Sequence, residues 1–155
     1  MLKISSKTSA TISLVLSFLF FFVIIAGIII LPAFVKASME FPTEKMINST
    51  NFDKHIILSL GYTALAIIFV ANVMLMKLLF RVRVELVFTP ESISLIRVIS
   101  WCIVLLGLVF LALGYYFLVS SFAAFACIFL GLCLRVVKNV IEKATEIKNE
   151  NDFTI

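Results

Sequence analysis

Few side chains in this chain could do chemistry, and they are scattered. Cys102, Cys127 and Cys133 are its three cysteines, and all lie inside strongly apolar stretches. No C-x-x-C pattern links them, and Cys127 and Cys133, six residues apart, fall on different faces of a helix. That spacing suits buried thiols acting as small hydrophobes rather than a metal or redox centre. Palmitoylation of Cys133 would need support that the sequence does not supply. His55, the single histidine, sits in Asp53-Lys54-His55, which reads as the cap of a helix starting at a membrane surface. Asn72 is the one strongly polar side chain within its apolar stretch. It can hydrogen-bond a neighbouring helix or reach the headgroups, or it can serve a transport path.

The elements that must position these residues come from three stretches free of Asp, Glu, Lys, Arg and His: residues 8–35, 56–76 and 98–134. A bilayer crossing takes ~20 apolar residues. The third stretch as one helix would run to ~55 Å, against a hydrocarbon core of ~30 Å. It therefore folds back, and residues 114–121, with Gly114, Tyr115, Tyr116 and the pair Ser120-Ser121, supply the break. The fold class is all-α: a polytopic membrane protein of four transmembrane helices, at about 9–31, 55–80, 96–115 and 119–138, with a cytoplasmic C-terminal helical extension over 139–155. The whole chain forms one domain. At 63% hydrophobic and 14% charged residues it falls far below the ~25% charge of a soluble domain. No segment outside the spans is long enough for a separate catalytic domain.

Charge sets the expected orientation. With four spans and both termini on one side, that side holds Lys3, Lys7, Lys77, Arg81, Arg83, Arg97, Arg135, Lys138, Lys143 and Lys148, leaving Lys36, Lys45 and Lys54 on the other. The rule that cytoplasmic loops collect Lys and Arg puts both termini in the cytoplasm. A three-span arrangement erases the bias. The net charge of +4 comes from residues at span ends, not from a dense run, so direct nucleic-acid binding is not expected. The first span is too long for a secretory h-region of ~7–15 residues, which argues against a cleaved leader.

Pro32 is expected to end the first helix near Leu31, since proline lacks an N–H and disfavours helix before it. An outer loop over 35–53 would follow, with Asn48-Ser49-Thr50 a chance match to a glycosylation triplet. Gly61, Ala64, Ala66 and Ala71 offer small surfaces in the second helix, which runs from about 54 to 80. The clearest helix start is Phe88-Thr89-Pro90-Glu91, with Thr89 as N-cap, Pro90 at the first helical position and Glu91 at the positive end of the dipole. Residues 92–97 would make a short amphipathic turn along the interface, with Trp101 near headgroup level. Gly107 and Gly114, seven apart, share a packing face. The fourth helix, from about 121, meets no breaker beyond Arg135, so span and tail are expected as one helix. Val136, Val140, Ala144 and Ile147 give that tail an apolar stripe.

Two segments together resemble a family of small bacterial four-span membrane proteins of unknown function, DUF2975. One is Phe88-Thr89-Pro90-Glu91-Ser92 running through Leu95-Ile96-Arg97 to Ser100-Trp101-Cys102. The other is the terminal A-T-E-I-K-N-E-N-D-F-T-I of residues 144–155, similar to the family's A-x-E-[IL]-K-x-E-N-D-L-T-[IV] with Phe153 in place of the usual Leu. Leu31-Pro32 also fits. The family's longer external loop between spans three and four is nearly absent here. The resemblance implies a bacterial cytoplasmic-membrane location, no established enzymatic activity, and a small Cro/C1-type helix-turn-helix regulator as a partner.

Together these readings give a non-enzymatic membrane protein with no cofactor and no metal, since ion coupling, intramembrane proteolysis and transfer chemistry all need acids, bases or nucleophiles at depth. Its partners are the lipid bilayer and a small regulator or membrane subunit, with a homo-oligomer also open. The partner-binding candidates are Glu146, Lys148, Glu150 and Asp152 as a polar rim and Phe153 and Ile155 as anchors. Alternatives are a small oligomeric transporter or exporter, and an immunity-type protein against a membrane-active peptide.

Overall fold

The computed structural model describes residues 6–40, 51–84 and 89–152. They form four helices: α1 Ser6–Glu40, α2 Asn51–Arg83, α3 Pro90–Leu113 and α4 Leu118–Asp152. All four are long and apolar enough to cross a membrane, and no strand occurs among the described residues. The protein is an all-α multi-pass membrane protein.

The helices are laid side by side in chain order. Extended contacts join α1 to α2, α2 to α3 and α3 to α4, so α1 and α4 are the two edges of a single layer. The α1–α2 and α3–α4 connections share one end, the loop end. The start of α1, the α2–α3 connection and the finish of α4 share the other, the terminal end.

Pro32 does not end α1. The helix continues through it to Glu40. Proline leaves one carbonyl of the preceding turn without its helical donor, a cost that membrane helices tolerate where neighbours hold the segment in line. Here Leu31 packs on Gly61 of α2 just before the proline, and Val35 just after it is buried with Ile57 of α2 and Leu113 of α3. The expected outer loop is correspondingly shorter, because α2 already starts at Asn51. Pro42, Lys45 and the Asn48 triplet lie outside the described residues.

In α2, Gly61 and Ala64 are used for close packing, whereas Ala66 faces outward. Residues 92–97 are not a separate interfacial turn. They are the first turns of α3, with Ser92, Ile93 and Ile96 buried. Gly114 ends α3 in right-handed helical geometry, φ −61°, and its N–H reaches the carbonyls of Phe110 and Leu111 at 2.9 and 3.1 Å. Only a short turn through Phe117 separates it from α4, which therefore begins three residues before the expected start.

The α3–α4 seam has a period of seven on both sides. On α4, Ala124, Gly131 and Thr145 are buried and the Lys138 side chain is only 13% exposed. Across from them on α3 lie Ile93, Ser100, Gly107 and Gly114. A seven-residue repeat keeps one face of each helix turned to the other over many turns. The small members let the backbones approach. Gly107 faces the Ala124 carbonyl, Gly131 faces the Ser100 carbonyl, and Gly114 faces Ser121. Ser100 Oγ donates to the Gly131 carbonyl at 2.9 Å.

α4 is one unbroken helix of 35 residues, about 52 Å long at ~1.5 Å per residue. Its uncharged stretch ends at Leu134, and the remainder to Asp152 projects ~25 Å past that point.

Candidate partner-binding surface

At the terminal end α2, α3 and α4 are tied by polar contacts that the local sequence explains. Thr89 adopts an extended backbone, φ −133° and ψ 149°, which turns its hydroxyl over the first turn of α3. Thr89 Oγ1 accepts from the Ser92 N–H at 3.3 Å and lies 3.0 Å from Ser92 Oγ. Pro90 occupies the start of the helix, where no N–H is needed. Arg81 of α2 donates to Thr89 Oγ1 at 3.2 Å and pairs with Glu91. Two of the three cap residues, Thr89 and Glu91, thus also join α2 to α3. The ion pair itself adds little stability, because Glu91 is largely exposed.

Between α3 and α4 the Arg135 guanidinium stacks 4.1 Å from the centroid of the Trp101 ring, a cation–π contact. One level further out, Glu142 accepts from Lys138 at 2.5 Å and from Arg97 at 3.4 Å. Thr145 is buried and donates to its own helix at the Ile141 carbonyl, 2.8 Å. A cleft of about 270 Å³ at this joint is lined by Pro90, Ile93, Ser94, Arg97, Glu142, Thr145 and Glu146. The Lys138–Glu142 pair was readable from its spacing. The Arg97–Glu142 and Trp101–Arg135 pairs were not, because they depend on how α4 is rotated against α3.

That rotation decides the fate of the apolar stripe. α4 turns its Ala124–Gly131–Lys138–Thr145 face to α3, so the stripe points away. Val136, Val140 and Ile147 are 63%, 62% and 59% exposed. The same side of the helix carries Phe122, Phe125 and Phe129 nearer its start, all exposed. Inside the bilayer, lipid covers such residues. Beyond Arg135 nothing in the chain's described residues covers them.

The remaining candidates fall as follows. Glu146 is exposed beside the start of α3. Lys148 and Glu150 are exposed on the last turns of α4, and Asp152 is its final residue. Phe153 and Ile155 lie outside the described residues. The six are therefore not gathered into one pocket; the described ones are strung along the projecting end of α4.

Asn72 is buried, and both ends of its amide are engaged with α1: Ser17 Oγ donates to Oδ1 at 2.7 Å, and Nδ2 donates to the Ser17 carbonyl at 3.1 Å. Sequence reading found the asparagine but not its partner, since a serine in an apolar run carries no pairing signal. Cys102 and Cys127 are partly buried and Cys133 is exposed. No group of His, Cys, Asp and Glu suited to a metal occurs among the described residues.

Two further features complete the surface. α1, α2 and α3, joined at the loop end by the first residues of α4, line an apolar trough in two parts of about 920 and 610 Å³. At the loop end Tyr116 donates to Asp53 at 3.0 Å. Partial desolvation, then the Asp53 hydrogen bond and charge, raise the Tyr116 phenol above its ordinary value.

No curated protein and no solved structure matches this chain. The model of a family described as protein of unknown function, DUF2975, matches residues 3–155. The match takes in both segments on which the resemblance rested, the capped start of α3 and the end of α4. With four apolar helices and a family match over essentially its whole length, the chain belongs to the DUF2975 family.

Proposed function

We propose that the protein is a non-enzymatic membrane component that binds a partner through the terminal end of its helical layer. In this reading that end faces the cytoplasm of a bacterial cell, and the ten-to-three distribution of Lys and Arg supports that orientation. The observation that carries the reading is the stripe Val136, Val140 and Ile147. A helix keeps one apolar face for ~20 Å beyond its membrane segment and presents it to water. Covering such side chains yields on the order of 1.5–3 kcal/mol each, enough to anchor a partner helix. Glu146, Lys148, Glu150 and Asp152 form the polar rim, and Phe153 and Ile155 are the terminal anchors. The small helix-turn-helix regulator implied by the family is the first partner to test, and another copy of the chain the second. Asn72 supports this reading over transport, because its amide is spent on Ser17 rather than offered to a passing solute.

Tagged protein purified from its native membrane should bring the partner with it. Val140→Asp, and deletion of residues 149–155, should leave insertion intact and remove the partner. A reporter fused after Ile155 should be active inside. Retention of every partner in both variants would overturn the proposal, and an externally active reporter would overturn its orientation.

A further inference from the structure

A second cleft at the terminal end lies between α2 and α3, with a volume of about 610 Å³. Its wall is graded. The Arg81–Glu91 pair fixes the antiparallel register of the two helices, so Lys77, one turn deeper on α2, comes level with Ser94–Leu95 of α3. Met74, another turn deeper, comes level with Val98. Each of these residues lines the cleft. The order along the membrane normal is thus guanidinium and carboxylate at the mouth, ammonium and hydroxyl in the middle, and apolar side chains at depth. Lys77 closes the uncharged stretch of α2, which places the middle layer at the depth of lipid phosphates.

We infer that this cleft is a binding site for one anionic glycerophospholipid, held by its phosphate between Lys77 and Ser94. The charges support the sign. Among the described residues, Lys77 and Arg81 face a single carboxylate, Glu91, and that carboxylate is taken by Arg81. No carboxylate among the described residues pairs with Lys77. The described lining carries one net positive charge, which a lipid of net charge −1 neutralises. A zwitterionic lipid would bring its own cation to the mouth, beside Arg81. The chains of the bound lipid would pass Met74 and Val98 into the bilayer, and its headgroup hydroxyls would reach Glu91. A lysine that served only to stop a span would extend alone into the headgroups. Here two cations and a hydroxyl converge on one cavity from two helices. Basic pockets between membrane helices recognise anionic headgroups by this chemistry.

The test is lipid retention by the full chain in detergent, read by native mass spectrometry, with phosphatidylglycerol and phosphatidylethanolamine of identical acyl chains. The wild type should prefer phosphatidylglycerol, and Lys77→Gln should lower that preference about fivefold, the effect of one interfacial cation. Lys77→Arg should keep it, and Ser94→Ala should weaken it. Lys143→Gln, the same charge change on the projecting end of α4, should leave it unchanged. Inorganic phosphate is the arm that separates sources: it should not displace the lipid. Equal retention of the two lipids, an equal loss in Lys143→Gln, or displacement by millimolar inorganic phosphate would each overturn the inference.

Discussion

Alanine in place of Gly107 or Gly131 should loosen the α3–α4 seam, while alanine in place of Gly27 should not harm the fold. At Gly107 an added Cβ would lie 2.7 Å from Ile128 Cγ1 and 3.1 Å from the Ala124 carbonyl oxygen. At Gly131 it would lie 2.6 Å from Val104 Cγ2 and 3.3 Å from the Ser100 carbonyl oxygen. Both leading neighbours sit on β-branched residues with little rotamer freedom, and backbone stands just behind them. Relief therefore requires the helices to part, and overpacking of this kind costs ~1–3 kcal/mol. Parting would also stretch the Ser100–Gly131 hydrogen bond from its present 2.9 Å, a further ~0.6 kcal/mol for an interhelical bond in a membrane. Against this stands the ~1 kcal/mol that alanine gains over glycine inside a helix. The net for Gly131→Ala is a loss of about 0.6–2.6 kcal/mol. At Gly27 the nearest atom is the tip of the flexible Leu65 side chain, 3.2 Å away, so the helical gain should dominate and stability should be unchanged or rise. Reversible unfolding of the two single variants in bicelles or mixed micelles measures both signs. If Gly27→Ala and Gly131→Ala proved equally destabilising, close backbone approach would not be what holds α4 in place.

A double-mutant cycle on Ser17→Ala and Asn72→Leu should give a coupling of ~0.6 kcal/mol, within the ~1.7 kcal/mol maximum for interhelical hydrogen bonds; a coupling indistinguishable from zero would contradict the observed pair. Tyr116 should titrate above the ordinary tyrosine value of ~10. Because its folded value is raised, the stabilisation from its bond to Asp53 is complete below ~10 and is lost as pH rises through the folded value. Phenolate absorbance compared with Tyr116→Phe measures this, and a midpoint at or below the ordinary value would refute it. Pro90→Ala should cost little, since position one of α3 gives up no helical hydrogen bond, whereas Leu105→Pro should cost ~3 kcal/mol or more and disrupt the span. Equal yields of folded protein from the two would contradict that.

The spans of α2 and α3 could be read from the sequence because the absence of charge is itself the constraint the bilayer imposes. The cap of α3 was legible for a different reason: Thr89, Pro90 and Glu91 each act within one turn of their own position. Pro32 misled because its usual effect comes from helices in water. In α1 the packing of Leu31 and Val35 on either side outweighs one missing donor. The stripe on α4 was visible, but the face that meets α3 was not, since a seven-residue repeat of Ala124, Gly131, Lys138 and Thr145 mixes chemistries that have only size and position in common. The cleft at Lys77 required the register between α2 and α3, and that register rests on a contact between residues ten positions apart on different helices.

The side-by-side order of the helices has a consequence for biogenesis. Every extended seam joins elements that are consecutive in the chain, so each helix after the first enters the bilayer with a partner already synthesised. The α1–α2 hairpin can close around Ser17 and Asn72 while α3 is still in the ribosome, and α3 then docks on an edge that already exists. α4 arrives last and attaches along one seam only. Low contact order of this kind favours fast folding, and it makes the order of translation the order of assembly.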